Sequence, residues 1–226
     1  MSDAPLPADA AIADAKKIVR QTMKRRLAAL DFDRLTVAAQ IFQNLERLPE
    51  FRDAQTLAVY LDFRSEAPTT PFLPRLFDRP ERVVAVPRCV GRELEFYRLD
   101  APRFVDASPS ETDFVDRDAF APERFFRFDE LTSGAFGIWE PFPAPAKRVA
   151  ADRFDVVLVP GLAFDLAGGR LGRGAGFYDR FLAAVSPKTR LVGVAFDEQI
   201  VEKTPCDAFD LPVDALATPS RLAVFR

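Results

Sequence analysis

The sequence predicts an α/β fold with a mostly parallel central sheet and helices on both of its faces. Three observations carry that expectation. Short apolar runs rich in strand formers recur along the chain (TLAVYLDF, RVVAVPR, DVVLVPGLAFD, RLVGVAF) and read as buried strands. Segments with helical spacing alternate with them, as parallel strands and their crossovers do. The 226 residues, 48% hydrophobic, suffice for one sizeable core.

Ile12 to Leu30 reads as an amphipathic helix whose polar face carries Lys16, Lys17, Arg20, Lys24, Arg25 and Arg26. Leu35 to Leu48 follows as a second helix, with Val37, Ile41, Leu45 and Leu48 at helical spacing. A buried strand starts at Thr56, and PTTPFLPRLF suggests a short, proline-opened helix. Arg82–Arg88 and Leu94–Leu99 read as strands on either side of a turn at Gly91 and Arg92. From Asp100 to Leu131 prolines, charges and phenylalanines (Phe104, Phe114, Phe120, Phe125, Phe126, Phe128) follow no period. That stretch is expected to be an insertion packed on the body. Pro141, Pro143 and Pro145 hold the next segment extended. Asp155 to Asp165 is a strand running into a turn, FYDRFLAAV a helix, Arg190–Phe196 another buried strand and LPVDALATP a last short one. The whole chain, 1–226, reads as one domain with residues 1–12 flexible.

Composition removes several classes of chemistry. There is no histidine, and Cys89 and Cys206 are the only cysteines. Imidazole or multi-thiolate metal sites are excluded, as are Ser-His-Asp and Cys-His arrangements. Any metal is expected to be a hard cation on oxygen ligands, such as Mg²⁺. A net charge of −3 gives no general pull toward nucleic acid or an anionic membrane. No run approaches the roughly 18 apolar residues of a membrane span, and the N-terminus lacks a secretory pattern. The expectation is a cytoplasmic protein acting on small molecules, with neither nucleic acid nor membrane as partner.

Against that background, GGRLGRGAGFYDR is unusual. Five of the chain's ten glycines fall between Gly168 and Gly176, beside Arg170, Arg173 and Arg180. The stretch follows a buried strand and opens a helix, where free backbone N–H groups and the positive helix end receive a phosphate well. Glycines let the backbone wrap an anion, and Arg170 and Arg173 add charge-assisted bonds to phosphate oxygens. Asp179 suits a metal ion riding on those phosphates. The spacing is neither a Walker loop nor a dinucleotide fingerprint, since Phe177 takes the place of a third glycine. The structural alternative is a flexible hairpin before a capped helix, with Asp179 favouring the dipole.

VPGLAFDLAGGRLGRGAGFYDRFL resembles the signature of the 5-formyltetrahydrofolate cyclo-ligases, also called methenyltetrahydrofolate synthetases. Lys16 and Arg20 four apart, YLDFRSEAPT, the VPR and LEFYRL pair, WEP and FDLPVDALATP resemble further blocks of that family, in family order. The resemblance implies a three-layer αβα sandwich of the kind shared with sugar-phosphate isomerases and CoA transferases. It implies ATP as co-substrate, Mg²⁺ as metal, and conversion of 5-formyltetrahydrofolate to 5,10-methenyltetrahydrofolate with release of ADP and phosphate. The formyl oxygen attacks the γ-phosphate, and N10 then closes the ring and expels phosphate.

By the same resemblance, ATP is met by Lys16, Arg20 and the turn Arg170, Leu171, Gly172, Arg173, Gly174, Ala175, Gly176, Phe177 and Tyr178. The folate is met by Leu61, Glu66, Arg173 and Phe177, with Trp139 a further candidate that reads first as core or rim. Asp179 and Asp210 match the family's magnesium-associated acids, although Asp210 also reads as a turn residue. Arg173 and Asp179 are the expected catalytic residues, and a monomer is expected. Three positions depart from the pattern: Ala175 for lysine or glycine, Phe177 for a frequent tyrosine, and Phe209 for a histidine common in bacterial members. Two other readings stay open on these residues: an ATP-binding paralogue with a different formyl or amide substrate, and a non-catalytic folate- or nucleotide-binding module.

Overall fold

A computed structural model describes residues 7–105, 125–134 and 137–226. Helix α1 (Pro7–Ala28) begins at Pro7 rather than Ile12. Helix α2 (Arg34–Glu46) starts where Asp33 accepts the Thr36 N–H at 3.0 Å, a side-chain cap for one otherwise unpaired donor. A short α3 (Pro49–Asp53), opened by its proline, follows beyond Leu48, where the sequence predicts no element.

The eight-stranded sheet runs β14–β13–β12–β9–β1–β2–β3–β8. Its strands are β1 (Thr56–Ala58), β2 (Val83–Val90), β3 (Glu93–Arg98), β8 (Arg148–Val149), β9 (Val156–Val159), β12 (Arg190–Val194), β13 (Ala215–Ala217) and β14 (Leu222–Val224). From β13 to β2 all neighbours are parallel. Antiparallel β14 closes one edge, and β3 with β8 closes the other. The sheet is therefore mostly parallel, as expected.

Alternation along the strands divides the core. Val156 and Leu158 face Met23 and Leu27 of α1, Ile41 and Leu45 of α2, and Phe72 and Leu73. Val157 and Val159 face the other way, toward Phe96, Phe154, Phe181 and Leu182. Helices thus flank both faces, with α4 (Phe177–Leu182) covering the second.

PTTPFLPRLF folds as the short helix expected, of 3-10 type over Thr70–Asp78, with Pro74 supplying no N–H inside it. Three two-stranded ribbons complete the fold: β4 (Arg103–Val105) with β5 (Phe125–Arg127), β6 (Leu131–Ser133) with β7 (Trp139–Pro141), and β10 (Ala163–Phe164) with β11 (Arg170–Leu171). Within the expected insertion, Phe128 is buried against Phe77 at 5.7 Å between ring centroids. Phe114 and Phe120 lie outside the described residues, as do residues 1–6. No described helix is long and apolar enough to cross a membrane.

Candidate active site

β9 runs into a hairpin whose two halves are built differently. The first half is pinned by Asp165, which is 5% exposed. Its Oδ1 accepts the N–H groups of Ala167 (2.9 Å) and Gly169 (2.8 Å). Its Oδ2 accepts the Thr204 N–H (2.8 Å) and hydroxyl (2.6 Å). Burial works against this carboxylate, but the four bonds hold its pKa below the usual range. A Cβ on Gly169 would overlap both Asp165 Oδ2 and the Thr204 hydroxyl, and Gly168, at φ +89°, lies against the Val213 carbonyl.

The second half is open. Gly174 (φ +105°) and Gly176 (φ +69°) occupy left-handed backbone where a side chain would be strained. Gly176 caps α4, and no side chain satisfies the first N–H groups of that helix from the cap position. Behind it Arg170, 2% exposed, pairs with Asp179 and donates to the Pro160 carbonyl at 3.3 Å. Arg180 donates to the Arg92 carbonyl (3.1 Å) and the Ala175 carbonyl (3.2 Å), tying α4 to the β2–β3 turn.

Across from the hairpin lies the loop after β1. Asp62, its side chain fully buried, holds this loop's far end by accepting the N–H groups of Thr69 (2.9 Å) and Thr70 (2.7 Å). It also pairs with Arg34 at 2.6 Å. Arg64 adopts φ +56°, a reversal that lets the Glu66 N–H reach the Phe63 carbonyl (3.2 Å) while Glu66 Oε2 accepts the Phe63 N–H (3.0 Å). Glu66 Oε1 accepts the Arg173 Nε–H at 2.9 Å. Burial raises the Glu66 pKa, and the charge of Arg173 offsets that only in part.

α1 supplies the third wall. Arg20 donates to the Gly172 carbonyl at 3.0 Å. Lys16, one turn earlier, is 7% exposed and bridges Asp207 (2.6 Å) and Asp210. Burial alone would lower the Lys16 pKa, but hydrogen bonds to the two aspartates raise it, and the same contact lowers that of Asp207. The strap from Thr204 to Asp210 therefore joins the hairpin, through Asp165, to the first helix.

These walls enclose a cavity of about 720 Å³ at the carboxyl ends of the parallel strands, where open α/β sheets place their ligands. Leu61, Glu66 and Trp139 line one side. Arg20, Arg170 and the turn from Gly172 to Asp179 line the other, and Asp210 reaches the rim. Leu171 is fully buried in β11, its carbonyl taken by the Leu162 N–H at 2.7 Å, so it supports the turn from behind. Lys16 touches the site through Asp210. The Tyr178 hydroxyl and Arg170 Nε are buried with no hydrogen-bond partner among the described residues. Burial pushes the phenols of Tyr178 and Tyr60 well above their ordinary pKa.

Among the described residues no three acidic, histidine or cysteine side chains gather as a self-sufficient metal cage. Asp179 and Asp210 are instead each paired with a cation. Each acid that lines the cavity thus has a basic partner: Glu66 with Arg173, Asp179 with Arg170, Asp210 with Lys16 and Glu140 with Arg88. Asp62, Asp165 and Asp207 were not singled out by the sequence reading. Only Asp165 left a signal, an aspartate before Leu-Ala-Gly-Gly, the pattern of a side chain that caps its own turn.

Comparison with known proteins agrees with this geometry. A family model described as the 5-formyltetrahydrofolate cyclo-ligase family matches residues 12–219. The 5-formyltetrahydrofolate cyclo-ligase of Escherichia coli K12 is 31% identical over 203 residues, covering 88% of this chain and 97% of its own. That of Saccharomyces cerevisiae is 28% identical, covering 89% and 93%. The solution structure of Aquifex aeolicus 5,10-methenyltetrahydrofolate synthetase superposes with a TM-score of 0.70 at 33% identity, covering 93% of each chain. The Mycoplasma pneumoniae synthetase, at 16% identity, shares the fold with a TM-score of 0.63, covering 90% of this chain and 98% of its own. With the family model spanning nearly all of the sheet and every wall of the cavity, the chain belongs to the 5-formyltetrahydrofolate cyclo-ligase family.

Proposed function

We propose that this protein converts 5-formyltetrahydrofolate to 5,10-methenyltetrahydrofolate, coupled to cleavage of ATP to ADP and phosphate. One observation carries the reading at the level of residues: a glycine-rich anion cradle and a buried carboxylate face each other across one cavity, joined by Arg173. A phosphate suits the cradle, where backbone N–H groups and the start of α4 converge. A pterin ring suits the other side, where its N–H edge meets Glu66 and its faces meet Leu61 and Trp139.

The reaction needs positioning and charge neutralisation more than a side-chain nucleophile. With both substrates bound, the formyl oxygen takes the γ-phosphoryl group and ADP departs. N10 then attacks the activated carbon and gives up its proton to solvent, and the carbon–oxygen bond breaks as phosphate leaves. Arg173 sits between the two subsites and stabilises charge on the transferring phosphoryl group. Arg20 brings further positive charge to the phosphates, Lys16 of the same helix supports the site by holding Asp210, and Ala175 and Phe177 pack the turn around those phosphates. Asp179 and Asp210 suit a Mg²⁺ that arrives on the phosphates with most of its ligands already oxygen. Held by these two carboxylates, such an ion would supply neutralisation of phosphate charge. A slightly acidic surface and small-molecule substrates fit a monomeric, cytoplasmic enzyme whose 226 residues act as one domain.

The test is spectroscopic. Purified protein is mixed with 5-formyltetrahydrofolate, ATP and Mg²⁺ while the near-ultraviolet absorbance of the methenyl product is followed. Absorbance that rises only when both ATP and Mg²⁺ are present is the expected result. A flat trace from folded protein that still binds ATP overturns the reading.

A further inference from the structure

Glu66 and Arg173 lie 107 positions apart in sequence and meet across the cavity at 2.9 Å. The Glu66 side chain is 15% exposed and that of Arg173 40%. Among the described residues Arg173 is the only cation that forms a salt bridge with Glu66, whose other oxygen is held by the Phe63 N–H. Drawing Arg173 away therefore strands a largely buried carboxylate without a counter-charge, which is far costlier than exposing it in water. The burial that raises the Glu66 pKa acts in the same direction.

A nucleotide phosphate reaching for Arg173 in the folate-free protein has to break this bridge alone. A reduced folate that offers N–H groups to Glu66 supplies the missing compensation and leaves the guanidinium free to turn. Whichever ligand comes first meets the cost, and the second does not. We propose that the Glu66–Arg173 bridge couples the two substrate subsites, so that folate bound at Glu66 tightens nucleotide binding and the nucleotide tightens folate binding by the same factor. The equality follows from linkage, and a factor of about ten is typical of such coupling. The proposal rests on the reading above, in which Glu66 meets the folate and Arg173 the phosphate.

Calorimetric titration tests it, with the imido analogue of ATP and Mg²⁺ as the probe so that no turnover occurs. In the unaltered protein, saturating 5-formyltetrahydrofolate should tighten the analogue about tenfold. Glu66→Gln keeps the shape of the side chain and an acceptor for the Phe63 N–H while removing the charge. This variant should bind folate more weakly, yet bind the analogue alone several-fold more tightly than the unaltered protein does, with the coupling factor near one. A merely structural role for Glu66 predicts no such gain.

An analogue affinity that folate leaves unchanged in the unaltered protein overturns the proposal, whether or not the variant folds. So does a folded Glu66→Gln protein whose affinity for the analogue alone is unaltered. A protein that forms the methenyl product without coupling loses this inference only. One that neither binds 5-formyltetrahydrofolate nor forms product loses the functional reading, and this inference with it.

Discussion

The two halves of the glycine-rich hairpin use the same residue for opposite purposes. At Gly168 and Gly169 glycine is needed because other atoms come too close: the Val213 carbonyl at one, Asp165 and the Thr204 hydroxyl at the other. At Gly174 and Gly176 it is needed for backbone angle, since an added Cβ would meet only the mobile ends of Arg20 and Arg180. The first half is a fastening whose polar groups are satisfied within the protein. The second is a receptacle whose charges hold provisional partners. Stability should therefore reside mainly in the first half and turnover in the second.

Arg173→Ala probes that division with the largest expected effect. Losing one preorganised charge at the transferring group should slow turnover by about 10² to 10³-fold. The variant should stay folded, its urea midpoint lowered by the now unpaired Glu66 and restored when Glu66→Gln is added, while turnover stays lost. A variant that unfolds instead would break the comparison. Gly169→Ala is the converse change. Its methyl group displaces the Asp165–Thr204 fastening, and equilibrium urea unfolding should show a loss of about 2–3 kcal/mol.

Asp165→Asn sharpens the same half by adding a pH axis. It replaces a charged acceptor of four bonds with a neutral one and should cost about 2 kcal/mol near neutral pH. The folded-state pKa of Asp165 is depressed, so its contribution is present above the unfolded value of about 4 and is lost as pH falls through the folded value. Unfolding curves at neutral and acidic pH should show the gap between the variant and the original protein closing in acid. Gly176→Asn is the smallest change. Asparagine tolerates left-handed backbone, and Arg180 can move aside, so a cost below about 1 kcal/mol is expected by the same denaturation.

The sheet was legible because its strands are apolar on both sides, and the cradle because glycine and arginine are concentrated there. α3 was not, since five residues opened by Pro49 carry no period of their own. Nor was the 3-10 character of Thr70–Asp78, which rests on a missing N–H within an otherwise helical pattern. In the site, Lys16, Glu66, Arg173 and Asp210 were each named, but their pairing was invisible. Lys16 and Asp210 lie 194 positions apart, and nothing local in either segment encodes the other. Asp62 and Asp165 act through backbone N–H groups, which every residue but proline possesses, so their partners leave no mark in composition.

The pairing of Lys16 with the strap also orders events during synthesis. On the ribosome α1 emerges, with Lys16 and Arg20, long before Gly172 and longer still before Asp207 and Asp210 have been added. A nascent chain halted short of residue 207 presents a basic helix with no counter-ions and a hairpin with nothing to fasten it at its far end. Termination before residue 207 should thus yield an inert product rather than a weakened enzyme, because parts of the cavity made far apart in time are bonded to each other.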